Sequence, residues 1–147
     1  MIGETNKYLN ILLVEDSASD AALIRRGLSQ SKIKNQTHWL EDGERAIAYL
    51  RQQEPYTKAP RPDLVLLDLN LPRLDGREVL HQIKSDPDLK EIPVIVITTS
   101  AAEKDIQQSY LLYANCYIVK PFDVQSFLQM IQTVDSFWLR TAALPSQ

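Results

Sequence analysis

Acidic, hydroxyl and ammonium side chains stand directly after four of the short apolar segments in this sequence. They are Glu15 and Asp16 after the first segment, Asp68 after the third, Thr98 after the fourth and Lys120 after the fifth. Three carboxylates at close range resist joint ionisation unless a cation compensates their charge. An all-oxygen donor set suits Mg²⁺, which is usually completed by water and phosphate oxygens. If the fold brings these groups together, they predict in-line phosphoryl transfer, with an aspartate able to act as nucleophile and form an acyl phosphate.

Asp68 is the most informative of these residues. It follows the apolar run 64–67, whose lack of alternation is typical of a strand buried on both faces. Pro72 cannot continue a central strand, so the strand must end close to Asp68. A carboxylate at that place costs desolvation energy unless it is paired, hydrogen-bonded or bound to a metal.

Short apolar runs alternate with helical patterns along the chain and predict an α/β fold. The predicted strands cover 11–14, 37–40, 64–67, 94–97 and 117–119. The predicted helices cover 19–29, 42 to about 50, 75–84, 103–113 and 123 past Trp138. Five such units predict an open parallel sheet with helices on both faces, a three-layer sandwich. Right-handed crossovers favour the doubly wound, flavodoxin-like order 2-1-3-4-5, in which a site forms at the carboxyl ends of the strands.

Composition limits the function classes. The 147 residues correspond to about one domain, and the net charge of −3 without a lysine or arginine stripe argues against nucleic-acid binding. No apolar stretch reaches the roughly eighteen residues of a membrane span, and the first residues do not resemble a signal peptide. Cys116 is the only cysteine, so no internal disulfide is possible and a reducing, cytoplasmic location is expected. The four glycines form no phosphate-cradling loop, which makes nucleotide binding a poor interpretation.

Each site residue also has a plain structural explanation when it is taken alone. Glu15 and Asp16 could cap the first helix, and Thr98 could cap the fourth. Lys120 could belong to an ordinary turn. A joint occurrence at four strand ends, in order, favours the functional interpretation.

The motifs together resemble the receiver domain of two-component response regulators. The resemblance covers roughly residues 10–130. It rests on Leu13-Val-Glu15-Asp16, Leu66-Leu-Asp68-Leu-Asn-Leu-Pro72, Asp75-Gly76, Pro93-Val-Ile-Val-Ile-Thr98 and Tyr117-Ile-Val-Lys120-Pro-Phe122.

The resemblance implies a role for each site residue. Asp68 would be the phosphoacceptor. Asp16, Asp68 and the backbone carbonyl of Asn70 would bind Mg²⁺ directly and Glu15 through water, with Mn²⁺ or Ca²⁺ able to substitute in crystals. Lys120 would contact the phosphoryl group. Thr98 and Tyr117 would form a switch pair, although Tyr117 could instead be a plain strand aromatic. The peptide bond before Pro121 would be cis.

More closely, the chain is similar to the small single-domain response regulators of cyanobacterial phytochromes. Supporting features are the 55–62 insertion, the 75–80 block, the 115–117 segment and the 136–139 tail. This similarity implies a phytochrome-type histidine kinase as partner and a homodimer through the face of the fourth helix, fifth strand and fifth helix, with the C-terminal tail. The expected organisation is an N-terminal extension over 1–9, a receiver domain over 10–140 without an output domain, and a tail over 141–147.

Two other function classes remain open at this point. A Mg²⁺-dependent hydrolase of the haloacid dehalogenase type also uses an aspartate after a buried strand, but it needs a second acid two residues later. Asn70 occupies that position here. A binding module that works without phosphorylation would be marked by loss of a site residue, and none is lost. The expected protein is therefore a signalling phosphoacceptor whose only catalysis is its own phosphotransfer and autodephosphorylation.

Overall fold

The sheet is parallel throughout, as the sequence predicts. A computed structural model describes residues 8–145. Its strands are β1 Leu9–Val14, β2 Asn35–Leu40, β3 Leu64–Leu67, β4 Val94–Thr98 and β5 Cys116–Val119. They pair in the order β2-β1-β3-β4-β5, with every neighbouring pair parallel. The predicted flavodoxin-like, doubly wound fold is confirmed.

Five helices alternate with the strands, close to their predicted positions. They are α1 Ala18–Ser29, α2 Gly43–Leu50, α3 Gly76–Ser85, α4 Glu103–Leu111 and α5 Val124–Val134. A π-helical turn, Asp135–Leu139, continues α5 past Trp138. Ser17, Asp42, Asp75 and Asp123 each accept a backbone N–H at a helix start, whereas α4 begins without a side-chain cap.

The sheet is covered on both faces, which explains why its central strands are apolar at every position. In β3, Leu64 and Leu66 pack into a cluster with residues of α1 and α5, while Val65 and Leu67 pack into a cluster with residues of α2 and α3. All four are at most 1% exposed. Burial on both sides fixes the strand in place, so the residue that follows it has a defined position.

The loop 51–62 connects α2 to β3. The loop 51–62 is largely exposed, with Tyr56 half-buried and its ring centroid 5.5 Å from that of Tyr49. Residues 1–7 of the predicted N-terminal extension and residues 146–147 of the predicted tail lie outside the described residues. Within 8–145, no helix combines the length and apolarity that a membrane crossing requires.

Candidate functional site

Lys120 is the centre of a charge cluster at the carboxyl end of the sheet. It follows β5 and is only 3% exposed. Its Nζ donates to Glu15 Oε1 at 2.6 Å, to Asp20 Oδ2 at 2.9 Å and to Asp68 Oδ2 at 3.0 Å. The backbone N–H of Lys120 donates to the Thr98 carbonyl at 2.7 Å, which ties the lysine to the end of β4. The carboxylates that follow β1 and β3, and one from α1, thus all contact the ammonium that follows β5.

Asp68 is held at the end of β3 by the main chain on both sides. Its N–H donates to the Val14 carbonyl at 3.0 Å, and its Oδ1 accepts the N–H of Asn70 at 3.1 Å. The start of α3 packs against the same place: a Cβ on Gly76 would lie 2.2 Å from the Asp68 carbonyl oxygen. Only glycine permits this approach, so Gly76 helps to fix the backbone under the carboxylate.

Glu15 is equally constrained at the end of β1. Its side chain is buried, with Oε1 on Lys120 and Oε2 accepting the N–H of Ser17 at 3.1 Å. The indole Nε1 of Trp39, from neighbouring β2, donates to the Glu15 carbonyl at 2.7 Å. Asp16, the next residue, is exposed. The two adjacent acids therefore have different surroundings, one buried and paired, the other facing solvent.

Burial and the neighbouring charges shift the pKa values of Glu15, Asp68 and Lys120 in different directions. Burial, opposed by the hydrogen bond from Lys120 but reinforced by the charge of Asp68, raises the pKa of Glu15 to about 7. For Asp68, burial acts upwards, but the charge and hydrogen bond of Lys120 outweigh it and lower the pKa. For Lys120, burial acts downwards, but hydrogen bonds to Glu15 and Asp20 outweigh it and raise the pKa. At neutral pH, Asp68 is thus ionised and Lys120 charged.

We expect the metal-free protein to lose stability as the pH rises from 4.5 towards about 7 because of Glu15. In this window the folded Glu15 still holds a proton that the unfolded chain has released, so the folded state binds more protons and stability falls with rising pH. The lowered pKa of Asp68 acts elsewhere, since it adds stability that is lost only as the pH falls below its ordinary value of 3.8. The measurement is the urea unfolding midpoint in EDTA across this window.

The matched variant for this prediction is Glu15→Gln, which keeps the side-chain shape and removes the titrating group. Its midpoint should decline less than that of the wild type between pH 4.5 and 7. A variant that declines as steeply as the wild type would mean that Glu15 does not hold the raised pKa.

The predicted metal ligands with charged side chains lie together. One carboxylate oxygen from each of Glu15, Asp16 and Asp68 lies within 4.8 Å of the others. This group of oxygen donors fits a hard divalent cation such as Mg²⁺.

Thr98 and Tyr117 lie beside this cluster without joining it. Thr98 is fully buried, and its Oγ1 makes no hydrogen bond to any residue of the described chain. Tyr117 is half-buried, and its hydroxyl donates to the Ser100 carbonyl at 2.8 Å. A buried hydroxyl without a partner is costly.

The peptide bond before Pro121 is not cis in this structure, so that expectation is wrong here. The single cis peptide bond within residues 8–145 joins Glu54 and Pro55. The local sequence does not decide between the two isomers, because cis and trans X–Pro bonds differ by only about 0.5–1 kcal/mol.

The plain structural explanations for the site residues also fail. The N-cap of α1 is Ser17, whose Oγ accepts the N–H of Asp20 at 3.3 Å, so neither Glu15 nor Asp16 is needed there. Thr98 lies five residues before Glu103, where α4 begins, and does not cap it. Lys120 is too deeply buried for an ordinary turn lysine.

Sequence reasoning missed Asp20 as part of the site. The sequence indicates this position, because Asp20 lies in the first turn of the helix that follows β1, and side chains of a helix point towards its N-terminus.

Sequence reasoning also missed a chain of polar contacts that continues from Tyr117. Ser100 Oγ donates to Asp105 Oδ2 at 2.6 Å, and Arg77 Nη2 contacts Asp105 Oδ1 at 2.9 Å, which joins the Tyr117 contact to the start of α3.

Comparison with known proteins agrees with this geometry. The response regulator receiver domain family matches residues 11–132. The response regulator Rcp1 of Synechocystis sp. is 49% identical over 146 residues, which cover 99% of each chain.

Two solved structures share the fold. The Mn²⁺-bound form of Rcp1 has a TM-score of 0.92 at 50% identity and covers 93% of this chain and 99% of its own. The phosphorylated cyanobacterial phytochrome response regulator RcpA has a TM-score of 0.93 at 50% identity and covers 95% and 100%. With its acidic cluster and buried lysine at the strand ends, the chain belongs to the response regulator receiver domain family, whose members are signalling proteins that accept a phosphoryl group on an aspartate.

Proposed function

We propose that Asp68 is the aspartate that accepts the phosphoryl group. The observation that carries this proposal is the contact of Asp68 with Lys120 at 3.0 Å inside the carboxylate cluster. The lowered pKa keeps Asp68 ionised at neutral pH, whereas the raised pKa of Glu15 makes Glu15 a poorer nucleophile.

The proposed reaction moves a phosphoryl group from a kinase phosphohistidine to Asp68. A carboxylate oxygen of Asp68 forms the new bond to phosphorus, and the bond to the histidine nitrogen breaks with its electron pair leaving on the imidazole. Slow attack of water on phosphorus later returns the carboxylate and releases phosphate. Lys120 neutralises the transferred group, and positioning with charge neutralisation supplies most of the catalysis. The protein thereby catalyses only its own phosphotransfer and autodephosphorylation.

Mg²⁺ is the proposed cofactor. Asp16, Asp68 and the backbone carbonyl of Asn70 would hold it directly, and Glu15 would do so through water. When bound, the ion compensates the negative charge of the phosphoryl oxygens. The exposure of Asp16 beside two buried carboxylates supports this assignment, because the cation must keep several waters.

Thr98 and Tyr117 are the proposed switch pair. A phosphoryl group on Asp68 adds strong acceptor oxygens, and the unpartnered Thr98 hydroxyl is a donor close to the strand end. Movement of Thr98 would free space for Tyr117, whose hydroxyl would leave the Ser100 carbonyl and turn inwards. The surface of α4 and β5 would then change with the state of Asp68.

The proposed partners are a phytochrome-type sensor histidine kinase and a second copy of this chain. The similarity to the phytochrome regulator RcpA supports the kinase. Exposed apolar side chains support a dimer through α4, β5 and α5: Leu111 is 73% exposed, Phe122 96% and Leu128 41%. In the C-terminal segment Phe137 is 51% exposed, whereas Trp138 packs against its own domain.

A Leu111→Glu substitution should shift the dimer equilibrium towards monomer, because it places a charge in the proposed apolar contact. Sedimentation at several protein concentrations, with and without phosphorylation, measures this shift. Ile33→Glu is the control, since Ile33 is 37% exposed and lies between α1 and β2, outside α4, β5 and α5. Wild-type protein that stays monomeric in both states would contradict the dimer.

The remaining expectations complete the proposal. The proposed receiver domain spans 10–140, flanked by the extension 1–9 and the tail 141–147. It acts in the cytoplasm through protein contacts and binds neither nucleic acid nor membrane. No observation favours a dehalogenase-type hydrolase, because residue 70 is asparagine where that class needs an acid.

Incubation with acetyl phosphate and Mg²⁺ should add one phosphoryl group to the wild-type protein, detected by intact mass. Removal of divalent metal with EDTA should slow the labelling about a hundredfold or more, because Lys120 alone then offsets the clustered negative charge. Re-addition of Mg²⁺ serves as the control for damage by the chelator. Labelling at an equal rate in EDTA would contradict the metal-dependent mechanism.

A further inference from the structure

The Lys120 ammonium has a third carboxylate partner that comes from a helix. Asp20 in α1 places Oδ2 2.9 Å from Lys120 Nζ, a contact as short as that of Asp68. The side chain of Asp20 is 27% exposed, compared with 2% for Glu15 and 7% for Asp68. An ammonium has three N–H donors, and each of them is used by one of these carboxylates.

Two of the three carboxylates that accept from Lys120 also take part directly in the proposed reaction. Glu15 and Asp68 belong to the carboxylate group that could hold a metal, and Asp68 also takes the phosphoryl group. Asp20 is not a member of that group. Of the three carboxylates that contact Lys120, Asp20 is therefore the one that would bind neither the cation nor the phosphoryl group.

Asp20 is also well fixed. Its N–H donates to the Oγ of the N-cap Ser17 at 3.3 Å, and the next residue, Ala21, is fully buried against the sheet. Lys120, by contrast, carries its charge on a flexible four-carbon stem. A charge-assisted hydrogen bond to a fixed carboxylate limits where that ammonium can go.

We propose that Asp20 is a positioning residue, which holds the Lys120 ammonium at the strand ends while Glu15 and Asp68 turn to the metal and the phosphoryl group. This inference depends on the proposed role of Asp68. It assigns Asp20 an effect on phosphorylation that passes through Lys120 and not through metal ligation.

The first test compares Asp20→Ala with Asp20→Asn at saturating Mg²⁺, with acetyl phosphate as donor. Both variants remove the charge, but only asparagine keeps an oxygen that can accept from Lys120. The rate constant should fall about threefold to tenfold in Asp20→Ala, the range expected for one partly exposed charged hydrogen bond, and clearly less in Asp20→Asn. Equal rates in both variants, whether reduced or unchanged, would overturn the proposal.

The second test asks whether the effect passes through Lys120. In a Lys120→Gln background, Asp20→Ala should produce no further loss of rate, because the group it positions is gone. A loss as large as that in the wild-type background would overturn the proposal. Glu78→Ala, which removes an exposed first-turn carboxylate from α3, is the control for helix-start effects and should keep the wild-type rate.

A third readout separates positioning from metal binding. Trp39 donates to the Glu15 carbonyl, so its fluorescence in a Trp138→Phe background should report Mg²⁺ binding. Asp20→Ala and Asp20→Asn should alter the Mg²⁺ dissociation constant to the same extent, since they remove the same charge. A much weaker affinity in Asp20→Ala alone would instead make the rate loss a metal effect and overturn the proposal.

Failure of this inference can be told apart from failure of the proposed function. Label that remains on Asp68→Asn would refute the role of Asp68 itself, and this inference with it. An Asp20→Ala variant that reacts like the wild type, while Asp68→Asn stays unlabelled, would refute only the role of Asp20.

Discussion

Asp68→Asn should not be phosphorylated by acetyl phosphate or by a phosphorylated kinase. An amide oxygen at this position cannot form the acyl phosphate, and the substitution also removes one of the clustered carboxylates. The rate should fall about a thousandfold or more, which corresponds to at least roughly 4 kcal/mol of transition-state free energy. Intact mass after incubation with Mg²⁺ measures the result.

The matched control for this loss is Asp63→Asn in the same strand segment. Asp63 lies at the amino end of β3, the end opposite Asp68, and its Oδ2 accepts the N–H of Asn10 at 2.8 Å. Asparagine can keep that hydrogen bond, so the control should be labelled at the wild-type rate. Equal labelling of wild-type protein and Asp68→Asn would refute Asp68 as the phosphoacceptor.

Lys120→Met should lower the free energy of unfolding by about 3–5 kcal/mol at neutral pH in EDTA, because it removes the cation from a buried ion cluster. Lys120 is 3% exposed, and its partners Glu15 and Asp68 are nearly as buried, so solvent cannot replace the lost charge. Urea unfolding followed by circular dichroism gives the measurement.

The pH dependence identifies the cause of this destabilisation. Without Lys120, the folded pKa of Glu15 should rise further, so the folded state binds the extra proton over a wider range. The stability of Lys120→Met should therefore recover as the pH falls and decline as it rises. Mg²⁺ should restore part of the loss, because it supplies positive charge to the same carboxylates.

Lys84→Met is the control for the loss of a half-buried lysine that pairs with no carboxylate. Its Nζ donates to the carbonyls of Lys90 and Ile92 at 3.0 and 2.8 Å, so its removal leaves no carboxylate unpaired. Its cost should be smaller, about 1–3 kcal/mol for the carbonyl of the buried Ile92, since the carbonyl of the exposed Lys90 can bind water. The cost should also be insensitive to Mg²⁺. Equal losses in the two variants, with no response to Mg²⁺, would contradict a charge-cluster origin.

The strands and their order could be predicted because a strand buried on both faces is apolar at successive positions of the sequence. The sequence predicts β3 with the bounds that it has, since an unbroken apolar run between Asp63 and Asp68 is typical of a strand buried on both faces. β2 is half-buried at the sheet edge, and its predicted start was two residues late. Edge strands are harder to predict from sequence because solvent on one side permits polar residues.

The sequence by itself determined that Glu15, Asp16, Asp68 and Lys120 would meet, because the carboxyl ends of parallel strands lie at the same end of the sheet. Only the tertiary structure decided how they pair there. The choice of Lys120 partners, including Asp20, depends on where α1 packs over the sheet, and the isomer before Pro121 depends on its surroundings. The local sequence does not decide either feature, because the alternative arrangements differ by only about 1 kcal/mol in free energy.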